Sequence, residues 1–421
     1  MRSRSSVSRA ELAAQRAWAL TAWANHGFAT TVLVGFFPLF LAHYWAADVP
    51  PTRSTLYLGL TNSGASLIVM VLAPWLGARA DRRGQRRLSL GVATAIGALA
   101  TALLSVVGRN EWPWALGIFA LASIGYFAGS TFQDALLMQV APRERLHRVS
   151  AYGYAAGYLG GGLLLAANVL MALHPSWFGL ADATAATRVA FVSVALWWVL
   201  FTLPVFRYVA EAPPTVEPPG WRELRATLQR VFGDRTVRGF LIAYWLYIDG
   251  IGTLQQMAVD FGAKIGLPAS ALVQALLLVQ FISLPSALVF GRIGERVGAR
   301  RAILAGLAVF MGVSLWALFL SRSWEFYALA VLVGLVQGGV QSLSRSVYAR
   351  LIPSERAGEY FGFYNMLGKF AAVLGPVLVG VAATLSGSPR VGISSILLLF
   401  AAGSVLLARV RVPEQAAAER A

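Results

Sequence analysis

Apolar stretches close to 20 residues long recur along nearly the whole of this 421-residue chain, each long enough to cross roughly 30 Å of hydrocarbon. Only 13% of the residues are charged, against about 25% in a soluble domain, so the chain lacks the polar surface needed to face water on all sides. Between the apolar runs one charge pattern occurs twice. Gly77-x-x-x-Asp81-Arg82-x-Gly84-x-Arg86-Arg87 returns 214 residues later as Gly291-x-x-x-Glu295-Arg296-x-Gly298-x-Arg300-Arg301. A repeat offset of about half the chain points to two related halves in tandem. Pro142 with Glu144 and Arg145 against Pro353 with Glu355 and Arg356, and Asn25 against Asp249, extend the match beyond the loops.

The formal net charge of +16 would suit a nucleic-acid partner, but the arginines fall in alternate connections between apolar runs, so none is expected. Loops 79–87, 142–149 and 292–301, the central linker and both tails hold nearly all of them. The opposite connections hold Arg53, Arg109, Arg188, Lys264, Arg322 and Arg390. Basic loops stay on the cytoplasmic side, which puts both termini in the cytoplasm and makes the number of spans even. The pattern predicts an all-α membrane protein with twelve transmembrane helices. It divides into a cytoplasmic tail over 1–16, a six-helix half over 17–210, a cytoplasmic linker over 211–238, a second six-helix half over 239–410 and a tail over 411–421. The linker opens on the proline-rich segment 211–220 and continues as WRELRATLQRVF, whose apolar residues share one face, as in a basic helix lying on the inner membrane surface. The lack of cysteine excludes disulfides and thiolate chemistry. The four histidines at 26, 43, 147 and 174 are scattered, and no G-x-x-x-x-G-K-[ST] phosphate loop occurs, so neither a metal nor a cofactor is expected.

The repeated loop resembles the signature between helices 2 and 3 of the major facilitator superfamily, whose weaker copy lies between helices 8 and 9. Twelve spans, cytoplasmic termini and a long central linker are similar to that family over the whole chain. Finer motifs resemble its vacuole-effluxer-like branch, the autophagy-related amino-acid effluxers and their bacterial relatives. These are AWALTAWANHGFATTV around Asn25, FQDALL at Asp134, YIDG at Asp249, LSRSVYARLIP around Arg345 and FGFYNMLGKF around Lys369. Ala22 stands before Trp23 where that branch leads one to expect aspartate, and His26 replaces a small residue. The resemblance implies the major facilitator fold in the bacterial inner membrane, as a monomer. It also implies a small polar or amphipathic organic solute, plausibly amino acids moving outward, carried by alternating access with or without proton coupling. A multidrug or lipid-like exporter and a non-transporting sensor or scaffold are the competing expectations; an enzyme is not expected.

Candidate functional residues are the repeated loops and the ionisable groups inside spans, which are costly in a bilayer. A carboxylate at Asp81 can sit against the positive N-terminal end of a neighbouring helix. The resemblance implies the start of helix 11 near Glu359 as that partner, with Glu295 in the mirror role toward helix 5 and Arg82, Arg86, Arg296 and Arg300 completing a cytoplasmic latch. The plainer reading is that these arginines fix topology. Asp134 and Arg345 lie eight residues before Pro142 and Pro353, about 12 Å into the span. The resemblance sets helices 4 and 10 opposite one another, so the two are expected as a gate pair, a static pair, or residues with separate partners. Asp249 and Lys369 fall near the midplane. With Asn25, His26, Tyr364 and Asn365 they form the candidate solute site, Lys369 holding a carboxylate and Asp249 an ammonium, unless the two neutralise each other. Proton coupling needs a carboxylate whose surroundings change between two facing states; Asp249 is the first candidate and Asp134 the second. Glycines 153, 157, 160, 161 and 162 predict close helix packing.

Overall fold

The computed structural model describes residues 8–49, 51–211, 213–214, 229–265, 267 and 269–410. Most of the expected linker helix (221–228) and the ends of both tails lie outside these residues, as does the side chain of Lys369. As expected, the chain is helical, with no strand among the described residues. In chain order the long helices are α1 (Arg9–Trp45), α2 (Pro51–Arg83), α3 (Arg86–Leu103), α4 (Trp112–Val140), α5 (Leu146–Leu173) and α6 (Ala183–Thr202). They continue as α7 (Arg235–Lys264), α8 (Ala269–Val297), α9 (Ala299–Trp316), α10 (Ser323–Leu351), α11 (Ala357–Ser386) and α12 (Leu397–Arg409). Ten helices among the described residues are long and apolar enough to cross a membrane; α7 and α11 stand outside that set. α7 interrupts its apolar run with Asp249, Gln255 and Gln256; in α11 the described side chains give the apolar stretch Leu374–Ala383, with residues 369–373 and 384 outside them.

Two compact units form. One is Met1–Ala141 with Ala156–Glu217, the other Pro142–Ala155 with Pro218–Ala421. The first turns of α5 therefore group with the second unit, because His147 and Ser150 are hydrogen-bonded to α10.

Lipid tails are as apolar as leucine, so close packing holds each unit together more than exclusion from water. In the first unit, aromatic rings from α1, α4 and α6 interlock. Phe37 stacks on Phe119 with centroids 3.7 Å apart and Trp45 on Phe191 at 5.6 Å, contacts worth about 0.5–1.5 kcal/mol each beyond burial. α3 meets α4 backbone to backbone, since a Cβ on Gly125 would fall 2.7 Å from the Gly97 Cα. In the second unit Gly334 lets α10 cross α8, where a Cβ would lie 2.9 Å from Ile282 Cβ.

The repeated loops now have a local cause. Gly84 and Gly298, equivalent positions in the two copies, take φ of 59° and 90°, a region that costs other residues roughly 1–2 kcal/mol. Each turn then aims an arginine at the last carbonyls of its own half. Arg87 Nη1 donates to Phe206 O at 3.0 Å and Val209 O at 2.7 Å; Arg300 Nη1 donates to Ala408 O at 3.2 Å and Val410 O at 3.1 Å. A cation at a helix C-terminus satisfies orphan carbonyls and opposes the dipole. By sequence Arg87 aligns with Arg301, so the two caps differ by one register position.

Candidate functional site

That slip leaves Arg86 for another role. Its Nε lies 2.6 Å from Asp81 Oδ1, with both side chains buried. Arg87 is also held by the first linker residue, Nε donating to Glu211 Oε2 at 2.8 Å and its backbone N–H to Glu211 Oε1 at 3.0 Å. Arg82 is half-buried and Arg296 exposed. In the second unit the half-buried Glu295 lies within electrostatic reach of Arg148, Arg350, Arg145 and Arg292, and Glu359 is buried with Arg230 at 3.8 Å.

The remaining first-unit candidates sit on α1 and α4. Asn25 is buried, its amide nitrogen donating to Gln133 Oε1 at 2.5 Å and its amide oxygen accepting from Trp198 Nε1 at 2.6 Å. It therefore ties α1 to both α4 and α6. His26 is half-buried, its Nδ1 lying 3.1 Å from Ala22 O and its ring edge-on to Tyr158 at 5.5 Å. Gly157 and Gly161 on α5 make room for it, so the expected close packing of the glycine run is seen at these positions. Asp134 is buried in α4. Asn25→Leu is expected to lower the melting temperature of the purified protein without moving its elution volume. It leaves two buried groups, the Trp198 N–H and the Gln133 carbonyl, unpaired at about 1–3 kcal/mol each. An unchanged melting temperature in Asn25→Leu would contradict this account.

In the second unit, Asp249 lies at the middle of α7 with no solvent exposure. Its Oδ2 accepts the backbone N–H of Gly375 on α11 at 3.0 Å, and its Oδ1 accepts the Thr253 hydroxyl at 3.4 Å. Glycine is required at 375, because a Cβ there would fall 3.0 Å from Asp249 Oδ1 and collide with Thr253. Tyr364 is buried between Tyr244 (4.1 Å) and Tyr348 (5.0 Å) in a ring stack. Asn365 is half-buried and donates to Phe361 O of its own helix at 3.0 Å.

Arg345 is buried in α10 and gripped by α5. Its Nε donates to Ser150 Oγ at 2.9 Å, its Nη2 to Ser150 O at 2.8 Å, and its Cζ lies 4.3 Å from the Tyr154 ring centre. Three serines flank it at alternate positions. Ser342, Ser344 and Ser346 donate to Gly339 O, Val340 O and Leu343 O of their own helix. Tyr247 OH lies 2.7 Å from Ser344 Oγ and His147 Nδ1 2.6 Å from Ser346 Oγ, each within hydrogen-bond distance. Ser150 Oγ completes the joint by donating to Ser342 O at 2.8 Å. Sequence reasoning missed this comb and Gln133. The available signal was serine at every second position around an arginine in an apolar run.

Comparison with known proteins follows the same lines. Residues 138–420 match the family model described as Vacuole effluxer Atg22 like. The Bacillus subtilis (strain 168) protein named Uncharacterized MFS-type transporter YxiO is 34% identical over 409 residues, covering 95% of each chain. Autophagy-related protein 22 of Yarrowia lipolytica is 25% identical over 306 residues; the match covers 63% of this chain and 50% of the relative. Among solved structures, the human organic anion transporter MFSD10 (TETRAN) superposes with a TM-score of 0.72 at 18% identity, over 95% of this chain and 99% of that one, a likeness of fold.

Proposed function

The chain belongs to the vacuole effluxer Atg22-like family and is a multi-pass transporter of the major facilitator type, and on that premise we propose that it is a secondary active transporter. It moves small polar or amphipathic organic solutes, amino acids foremost, out of the cytoplasm by alternating access, coupled to protons through Asp249. The observation that carries this is the carboxylate of Asp249, fully buried at the middle of a membrane helix and held, among described residues, by a backbone N–H and a threonine hydroxyl. Intramembrane carboxylates are expensive and mark ion or substrate pathways. In this reading Asn25, His26, Tyr364, Asn365 and Lys369 serve the solute site, Asp134 and Arg345 are gate residues, and the two repeated loops latch the cytoplasmic side. The protein works as a monomer of twelve spans in two six-helix halves, in the bacterial inner membrane with both termini cytoplasmic.

The deciding experiment is uptake and counterflow in proteoliposomes with a panel of amino acids, with and without an imposed pH difference. Exchange of at least one amino acid, accelerated by the gradient, is the expected result. Exchange indifferent to the gradient removes proton coupling. Exchange of lipophilic cations alone assigns a multidrug exporter, and no flux of any solute points to a sensor or scaffold.

A further inference from the structure

Where α3 begins and α6 ends, the first unit holds a recess of about 230 Å³ lined by Gly84, Gln85, Arg87, Leu88, Phe206 and Glu211. Gly84 turns the chain into α3 with its φ of 59°. Phe206 belongs to the short helix Pro204–Tyr208 that continues α6, and its ring lies over Gly91 of α3, where a Cβ would meet it. The walls are apolar and continue along both helices. Leu88, Val92 and Ile96 are exposed on α3, as are Leu200, Leu203 and Phe206 at the other wall. Spacings of three and four residues put each row on one helix face, and exposed apolar rows on membrane helices meet lipid tails. Both rows end at the recess, in Leu88 and Phe206.

The floor of the recess is polar and has hydrogen-bonding capacity left over. Arg87 gives its backbone N–H and Nε to Glu211 and its Nη1 to the carbonyls of Phe206 and Val209. Its Nη2 has no acceptor among the described residues. Glu211 accepts from these two N–H groups of Arg87, whereas a carboxylate offers about four lone-pair sites. The Gln85 amide has no partner among the described residues. Arg87 and Glu211 keep 29% and 19% of their side-chain surface, so neither is sealed from a ligand.

One guanidinium therefore presents a cationic donor beside a carboxylate that can still accept, between apolar walls. Glu211 repels a lone anion and Arg87 a lone cation. A group that carries both charges a short link apart suits the pair. We propose that the recess holds the headgroup of a membrane phospholipid ending in a primary ammonium. Its phosphate oxygens accept from Arg87 Nη2 and the Gln85 amide, its ammonium donates to Glu211, and its acyl chains follow the two apolar rows. Hydrogen bonds at both ends are charge-assisted and so among the stronger kind. A trimethylammonium headgroup has no N–H to give, and a glycerol headgroup brings no cation to the carboxylate. The second copy of the loop has Ala299 and Ala302 at the positions of Gln85 and Leu88, which removes the amide and one apolar wall, so the site belongs to the first half alone. A headgroup seated there ties the first turn of α3, the end of α6 and the start of the linker together beside the first repeated loop. The inference requires no particular solute.

The test is native mass spectrometry of the delipidated full-length protein in detergent, titrated with phosphatidylethanolamine, phosphatidylcholine or phosphatidylglycerol of identical chains. Phosphatidylethanolamine should bind about tenfold more tightly than either of the others, the scale of one charged hydrogen bond. Equal binding of the three lipids by the parent would overturn the proposal. Glu211→Gln keeps an acceptor for Arg87 but loses the charge, and should lose most of the preference. Leu88→Trp fills the recess without touching the Arg87–Glu211 bonds. Leu88 is 53% exposed, so this variant should keep the lipid-free melting temperature of the parent while losing the preference. A preference that survives in Leu88→Trp, or in folded Glu211→Gln, places the lipid elsewhere and overturns the assignment. Phosphoethanolamine without acyl chains checks the source of the ligand: it should not displace the lipid at equal concentration, and displacement would mean a soluble zwitterion in place of a lipid.

Discussion

Asp249→Asn is expected to leave solute exchange running while abolishing accumulation driven by a pH difference. Asparagine has the shape of aspartate, and its amide oxygen can still accept the Gly375 N–H that the carboxylate holds at 3.0 Å, so the α7–α11 contact survives. What it cannot do is gain or lose a proton. One pH unit is worth 1.36 kcal/mol per proton, so a two-unit difference coupled one-to-one sustains a solute ratio of about 100; in the variant that ratio falls to about 1. Counterflow, which needs only the solute-loaded states to interconvert, should stay within about threefold of the parent, the scale of a half-kilocalorie change. Both quantities come from one preparation of proteoliposomes loaded with labelled solute. Gradient-driven accumulation that persists in Asp249→Asn would move the coupling site elsewhere, with Asp134 next. Asp249→Leu provides the contrast. It removes the hydrogen bond that the carboxylate accepts from Gly375, worth about 1.5–3 kcal/mol for a charged partner, and should lower thermal stability as well as coupling.

Much of the fold was legible in the sequence because it depends on patterns that one chain segment carries by itself. Runs of about 20 apolar residues mark spans whatever packs against them, and the paired Gly84 and Gly298 mark a turn because only the local backbone decides φ. The site was legible to the extent that a charge in an apolar run is conspicuous: Asp134, Asp249 and Arg345 all proved buried. Their partners were not. The Gly375 N–H lies 126 residues from Asp249 and is available only because a glycine lets α11 come that close, a fact about helix crossing and not about either segment. The bonds of Asn25 to Gln133 and Trp198 within its own unit also depend on which helices meet α1, which its own segment does not show. The one-residue difference between Arg87 and Arg300 as caps likewise depends on how each turn aims its side chains.

Arg345→Lys is expected to fold and still lose most exchange, although the charge is kept. The guanidinium makes two bonds to one residue, Nε to Ser150 Oγ and Nη2 to Ser150 O, while its plane sits over Tyr154. That grip uses the spacing of a planar fork. An ammonium is a single point of charge on a shorter reach, so it can satisfy the carbonyl or the hydroxyl but not both from one position over the ring. Loss of one charged hydrogen bond, worth about 1.5–3 kcal/mol, together with a displaced cation–π contact, worth about 0.5–2 kcal/mol, corresponds to a fall in exchange of about 100-fold, or about 2.7 kcal/mol, if the grip forms in the rate-limiting state. Ser150→Ala separates the two bonds. It keeps the carbonyl that Nη2 uses and removes the hydroxyl that Nε uses, so it should fall between parent and Arg345→Lys, near tenfold. Arg345→Met tests the charge itself. It fills similar volume with no donor, leaves the Ser150 carbonyl to other partners, and should exchange no better than lysine. Counterflow per mole of folded protein, with melting temperature measured on the same samples, orders the four proteins as parent, Ser150→Ala, Arg345→Lys and Arg345→Met. A lysine variant exchanging at the parent rate would show that α10 needs only a positive charge at this position, and the geometry of the α5 grip would then carry no part of transport.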